Sequence, residues 1–341
     1  MADMNRIGIY FFYDKDGIVD DYVPYFLEKL KPFCRRLVVV ASGKLTAPGR
    51  KKLETFADKL IVRPNQGFDS WAYKDAIEDC GYDSLKKYDE LLLCNFTFFG
   101  PIYPLSELFS TMEKKECDFW GINRHPPLAA EHAGVRVIEH IQSHFIVFRN
   151  KILTDANFEK YWKTLKPVNS YDEAIAYHEL RCTRFFEDLG YKSADYLDYK
   201  KYLGLYEGNS SVLLADRQII EDRSPILKRK FFYIDKGRLT FPSLYGNNLD
   251  LIRFIKTSTN YDAGLIYQNL IRTQNLSSLK HNHIFNLRFY KYNLFTRLFF
   301  GRRDYYRAKL KKFYRNYISA EDFEDAFQNS PQTGDGDKNF A

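Results

Sequence analysis

The chain has 341 residues, 45% of them hydrophobic and 17% aromatic, enough to bury a sizeable core in one large domain or two modest ones. No apolar run approaches the roughly 20 residues that a bilayer-spanning helix needs, which excludes a transmembrane helix. The five cysteines (Cys34, Cys80, Cys94, Cys117, Cys182) are odd in number and lack CxxC spacing, which argues against a disulfide framework or a zinc site, and the formal charge of +7 points to anionic partners. Phosphate-bearing substrates, membrane surfaces and nucleic acid all satisfy that charge.

In chain order, MADMNRIGIYFF runs into a strand pattern without a signal-peptide cleavage site, so a cytoplasmic location is expected. Arg6 to Tyr13 is predicted as a strand, DDYVPYFLEKLKPF as a helix, Leu37 to Ala41 as a strand, Gly49 to Leu60 as a helix and Leu60 to Arg63 as a third strand. A helix from Trp71 to Cys80 leads to the short apolar run Leu91 to Cys94, too short for a helix and suited to a buried strand. LSELFSTMEKK has helical spacing, Phe119 to Ile122 starts another buried segment, and Ile141 to Phe148 reads as a strand. YDEAIAYHELRCTRFFEDLG is a helical pattern ending at Gly190, and helical spacing returns at Leu249 to Phe254 and in YDAGLIYQNLIRT. Strands alternating with helices at this pace imply a mostly parallel α/β sheet.

Ligands of open α/β sheets sit beyond the carboxyl ends of the strands, so the turn Asn95 to Pro101 is the first candidate site. The turn RPNQGFDSW offers Arg63 as a cation, Gly67 for close backbone approach, and Asn65 and Asp69 as partners for sugar hydroxyls; the plainer reading makes Asp69 a helix N-cap. In YDKDG, Tyr13 is a stacking platform and Asp14 an acceptor, although DKDG is also ordinary turn chemistry. Gln142, Ser143 and His144 interrupt an apolar strand and must be satisfied or used. For His140 and His144 the structural reading is a core hydrogen bond, and their spacing is not that of metal ligands. Lys228, Arg229 and Lys230 cluster in SPILKRKFF. Residues 280–317 interleave aromatics with Arg and Lys, as an interfacial helix on anionic headgroups would; nucleic-acid binding and a helix packed on its own domain are the rival readings. The last stretch is acidic and polar, a composition that favours disorder.

LLLCNFTFFGP, then DFWGI, HIQSHFIVF, YHELRCTRFFEDLGYK and SPILKRKFF resemble, in that order, the rhamnan synthesis protein F family, glycosyltransferase-like proteins of bacterial surface polysaccharide assembly. The similarity runs from about Ile7 to Arg272, and Asn65, Gly67 and Asp69 stand at that family's N, G and D positions. More distantly the order resembles the GT-A fold of nucleotide-sugar transferases, which implies a GT-A-like, Rossmann-type, mostly parallel sheet flanked by helices. The resemblance implies donor contacts at Asn65, Gly67, Asp69, Asn95 and Thr97, to which the turn chemistry adds Tyr13, Asp14 and Arg63. Lys228 and Arg229 would neutralise the leaving diphosphate, and Trp120, Gln142, Ser143 and His144 would line the acceptor side.

In an inverting enzyme of this kind an acid deprotonates the acceptor hydroxyl, and the resemblance puts Glu179 there, with Asp118 and Asp172 as alternatives. It also implies an acid at the strand end to hold Mg2+ or Mn2+; this chain carries Phe96, which cannot ligate a hard cation, so no metal ligand is assigned. The resulting expectation is a GT-A-like domain over 1–225, a helical part of the same domain over 226–279, a basic membrane-facing segment over 280–317 and a disordered tail over 318–341. Its activity would be transfer of a sugar, dTDP-L-rhamnose being the favoured donor, to a lipid-linked polysaccharide at the inner face of the cell membrane, without a nucleic-acid partner. A catalytically silent scaffold is the alternative that Phe96 favours.

Overall fold

The computed structural model describes residues 4–202, 216–233 and 248–274. The basic aromatic segment and the acidic tail expected from the sequence lie outside these residues. The first half alternates as β1 (Arg6–Tyr13), α1 (Tyr22–Leu30), β2 (Arg36–Ser42), α2 (Ala47–Glu54), β3 (Lys59–Arg63), α3 (Phe68–Cys80), α4 (Tyr82–Leu85) and β4 (Glu90–Asn95). After β5 (Phe98–Phe99), α5 (Leu105–Glu113) and β6 (Phe119–His125), a hairpin β7 (Glu131–His132) and β8 (Val135–Arg136) leads to β9 (His140–Ile141) and β10 (Phe145–Arg149). Then come α6 (Asn150–Leu153), α7 (Ala156–Lys163), α8 (Tyr171–Ala174), α9 (Leu180–Asp188), β11 (Ser193–Leu197), α10 (Asp216–Glu221), β12 (Leu227–Lys228), α11 (Asn248–Ser258) and α12 (Gly264–Thr273).

Among the described residues the main sheet runs β11-β6-β10-β4-β1-β2-β3, with β9 added beside β6. β1 pairs in parallel with β2 and β4, and β6 with β11, whereas β10 runs antiparallel to both β4 and β6. This is the Rossmann-type, mostly parallel sheet flanked by helices expected from the sequence. The central strands are apolar on both faces, as sheets covered on both sides require. Tyr10 and Phe12 of β1 enter one core with α1, α5, α11 and α12, while Ile7, Ile9 and Phe11 enter another with α3, α7 and α9.

The structure corrects three boundaries. α2 begins at Ala47, where Thr46 Oγ1 accepts from the Gly49 amide and Pro48 sits in the first turn, and it ends at Glu54. α3 begins at Phe68 because Gly67 takes a left-handed φ of 71°, a conformation glycine adopts freely. A Cβ there would lie 2.4 Å from Trp71 Cγ, so the close approach also requires glycine. The expected strand Ile141 to Phe148 is two strands separated by Gln142, Ser143 and His144.

The last of the described helices, α12, is tied to the first βα unit by charge. Arg272 donates through Nε to Asp20 Oδ1 at 2.8 Å and through Nη2 to Asp14 Oδ2 at 2.6 Å and Asp20 Oδ2 at 2.8 Å. Asn269 donates to the same Asp20, which is buried. Removing one partner of such a buried group strands the other charges. Arg272→Met is therefore expected to lower the unfolding free energy by about 3 kcal/mol in urea titration; a loss below about 1 kcal/mol would show that the helix is held by its apolar face alone.

Candidate active site at the carboxyl ends of the strands

β4 ends at Asn95, and its antiparallel neighbour β10 pairs Phe145 with Cys94, so the residues entering β10 stand against the residue leaving β4. The Asn95 amide donates to the His144 carbonyl at 3.1 Å. The Asn95 side chain joins two segments: Nδ2 donates to Asp69 Oδ2 at 3.0 Å, and Oδ1 accepts from the Thr97 amide at 3.1 Å and the Thr97 hydroxyl at 2.7 Å. Ser143 spans two carboxylates. Its hydroxyl donates to Asp69 Oδ2 at 3.3 Å and its amide to Glu179 Oε1 at 3.4 Å.

Glu179 ends a π-helical turn, Ile175–Glu179, inserted between α8 and α9 where the sequence predicts one regular helix. Such insertions shift the side chains that follow and recur at functional sites. His140 Nε2 lies 3.6 Å from Glu179 Oε1, its Nδ1 lies 2.7 Å from the Ile138 carbonyl, and its ring stacks on His125 at 5.2 Å. Lys228 arrives on β12, which pairs with β5 so that Lys228 stands opposite Phe98, beside the Asn95 turn.

The charges of this cluster are unequal. Burial, and then the negative charge of Glu179, push the Asp69 carboxyl up to about 6 despite hydrogen bonds from Asn95, Ser70 and Ser143. Burial also acts to raise Glu179, but the hydrogen bond and charge of His140, together with Lys228, outweigh it and hold Glu179 well below the usual carboxylate range. Burial lowers Lys228, with Glu179 and Asp69 opposing. Burial, and then Lys228, hold His144 well below the ordinary histidine range, and neither of its ring nitrogens has a hydrogen-bond partner among the described residues. Burial and the neighbouring His140 bring His125 to about 4.

Asp69, Asn95, Thr97, Ser143, Glu179 and Lys228 are thus brought together, with His144 buried beside them. Asp69 caps no helix: it lies in the first turn of α3, where Oδ1 accepts from the adjacent Ser70 amide, so the capping reading is corrected. Tyr13 stands edge-on to Phe96 at 6.3 Å, and Asn65 is exposed in the turn before Gly67. Other expected site residues are engaged elsewhere. Asp14 serves Arg272, and Arg63 donates to Asp75 Oδ2 at 2.5 Å and to the Gln66 carbonyl at 2.8 Å. Arg229 donates to the Tyr22 hydroxyl at 2.9 Å and lies over the Phe96 ring, beneath the turn rather than free above it. Gln142 accepts from Asn123 at 2.7 Å.

Two further expectations fail on position. Trp120 is fully buried and donates to Glu90 Oε1 at 3.3 Å, so it cannot line an acceptor groove. Asp118 precedes β6 at the opposite, amino end of the sheet, where it accepts from Lys151 Nζ at 2.9 Å and the Lys192 amide at 2.8 Å. Asp172 is exposed and lies 2.9 Å from His132 Nδ1. His125 and His140 belong to the cluster and were not assigned to it from sequence; the polar run EHIQSH inside an apolar stretch marks His140, whereas His125, in NRHPP, carries no such signal. The donor set does not fit a hard divalent cation: Phe96 presents a ring, Asn95 Oδ1 is taken by Thr97, and among the described residues no three acids, histidines or cysteines converge on one point.

The sequence matches the family described as rhamnan synthesis protein F over residues 37–296. The uncharacterized protein y4gN of Sinorhizobium fredii is 25% identical over 157 residues, covering 46% of this chain and 39% of that protein, so the match spans about two fifths of the relative's length. Among solved structures, a 4-diphosphocytidyl-2C-methyl-D-erythritol synthase aligns at 14% identity with a TM-score of 0.36, covering 57% of this chain and 90% of its own. A putative nucleotide-diphospho-sugar transferase from Desulfovibrio desulfuricans G20 aligns at 13% identity with a TM-score of 0.32, covering 79% and 98%. Core-mannan synthase A of Aspergillus fumigatus, in a Mn/GDP form, aligns at 12% identity with a TM-score of 0.30, covering 52% and 67%. The family match takes in β2 to α12 and every residue of the clustered site, and the chain belongs to the rhamnan synthesis protein F family.

Proposed function

We propose that this protein is a glycosyltransferase that moves a sugar from a nucleotide-sugar donor to a hydroxyl acceptor, with inversion, at the carboxyl ends of β1 and β4. The observation that carries the reading is the convergence of Asp69, Asn95, Ser143, Glu179 and Lys228, delivered from five separate segments, at the place where open α/β sheets take ligands. Family membership supports L-rhamnose, from dTDP-L-rhamnose, as the sugar and a lipid-linked polysaccharide as the acceptor. Lys228 suits the donor diphosphate: burial has removed much of its water, and a phosphate oxygen restores what hydration supplied. Tyr13 and Phe96, edge-on at the rim, offer apolar surface for the base or sugar. Displacement in a single step needs a carboxylate facing the anomeric carbon opposite the diphosphate, and the Asp69 and Glu179 pair supplies it.

Phe96 favours a second reading, a catalytically silent scaffold within a polysaccharide assembly complex. Calorimetric titration with dTDP-L-rhamnose separates the two. Binding is expected to persist in EDTA and to weaken about tenfold or more in Lys228→Met, the cost of losing one charge-assisted hydrogen bond. If no nucleotide sugar binds, with or without Mg2+ or Mn2+, the scaffold reading prevails.

Among the described residues no helix is long and apolar enough to cross a membrane. The proposed attachment to the inner face of the cell membrane rests on residues 280–317, where aromatics interleave with cations. Deleting that segment should release the protein from vesicles containing anionic lipid, and unchanged co-sedimentation would remove the membrane from this account.

A further inference from the structure

Two carboxylates share one bridging residue in this site, and their surroundings differ in kind. Glu179 faces the Lys228 cation, an imidazole and a backbone amide: His140 Nε2 lies at 3.6 Å and the Ser143 N–H at 3.4 Å. Asp69 is met only by neutral donors among its hydrogen bonds, the Asn95 amide, the Ser70 N–H and the Ser143 hydroxyl. When two acids are held close in a poorly solvated place, the one given cations stays ionised and the other becomes the easier to protonate. We infer that Asp69, not Glu179, takes the proton from the acceptor hydroxyl, and that Glu179 is the fixed anion beside it, coupled to it through Ser143. This rests on the glycosyl-transfer reading given above and deepens it by assigning the proton acceptor.

The titration directions agree with the geometry. A general base works best with a pKa near the working pH, which suits Asp69 at about 6. Glu179, held far lower, is a persistent anion and a weak proton acceptor. The charged and titratable groups facing Asp69 are Glu179 from the π turn, Tyr73 from α3, Tyr171 from α8 and Lys228 from β12. Of these, Glu179 makes the largest charge contribution to raising Asp69. In the transfer step the acceptor oxygen uses a lone pair to form the bond to the anomeric carbon. The bond from that carbon to the diphosphate oxygen breaks, its electron pair leaving on the nucleoside diphosphate. The hydroxyl proton passes to an Asp69 oxygen and later to solvent.

Hydrolysis of dTDP-L-rhamnose by the full chain, with water as the acceptor, tests this across a pH series. The wild type is expected to show kcat/KM falling on the acid side around pH 6, the value at which Asp69 is protonated. Asp69→Asn should lower kcat by about 10²–10⁴-fold with donor affinity kept within about threefold. Glu179→Gln should move the acid limb down by about one pH unit or more, because the anion that raises Asp69 is gone, and keep turnover near pH 8 within about tenfold of wild type. An active Asp69→Asn, or a Glu179→Gln whose limb stays in place while turnover collapses, would overturn the assignment. If Asp69→Asn does not fold, the limb of Glu179→Gln decides alone, a shift supporting the inference and an unmoved limb overturning it. A wild type that hydrolyses no nucleotide sugar at any pH overturns the glycosyl-transfer reading and this inference with it, whereas active wild type beside active Asp69→Asn overturns this inference alone.

Discussion

Because β10 runs antiparallel between β4 and β6, the residues that enter it meet the residue that leaves β4. That reversal puts Ser143 and His144 against Asn95, and through Asn95 against Asp69 at the start of α3. Had β10 been parallel, the run Gln142 to His144 would lie at the amino end of the sheet, near Glu90 and Arg6. The two ends differ accordingly. At the amino end a buried Arg6 donates to Glu90 at 2.8 Å, Trp120 adds a hydrogen bond, and the charges are matched. At the carboxyl end two acids, one lysine and a histidine without a hydrogen-bond partner among the described residues are left facing one another, an arrangement poor for stability and useful for chemistry.

Holding this cluster together costs free energy that the flanking structure must supply. Its supports are backbone features: the left-handed glycine at position 67, which starts α3 early enough to aim Asp69 inward, and the π turn that redirects Glu179. The clamp of Arg272 on Asp14 and Asp20 fixes α12 against the loop after β1. β12 closes the remaining side, its pairing with β5 placing Lys228 beside the Asn95 turn.

Hydrophobic pattern and turn residues made most of the fold legible. Leu91 to Cys94, apolar at every position, could only be a strand buried on both faces, and Asn95 followed by Gly100 and Pro101 marked its end at a place where ligands bind. The antiparallel insertion of β10 left no mark in composition, since an apolar strand reads alike in either direction. Polar residues were ambiguous for the same reason. Asp69 reads as a cap from spacing, yet its turn geometry depends on Gly67 and Trp71 packing that only three dimensions reveal. Asp118, Trp120 and Asp14 carry suitable chemistry but are engaged away from the cluster, in ion pairs and hydrogen bonds formed across long sequence separations.

The central claim is that a nucleotide sugar sits over the Asn95 turn, and the most direct measurement is a crystal structure of the full chain soaked with dTDP-L-rhamnose or its nucleoside diphosphate. The account predicts the diphosphate within hydrogen-bond reach of Lys228 and the anomeric carbon facing Asp69. A donor bound elsewhere on the sheet, or a diphosphate with no contact to Lys228, would contradict it.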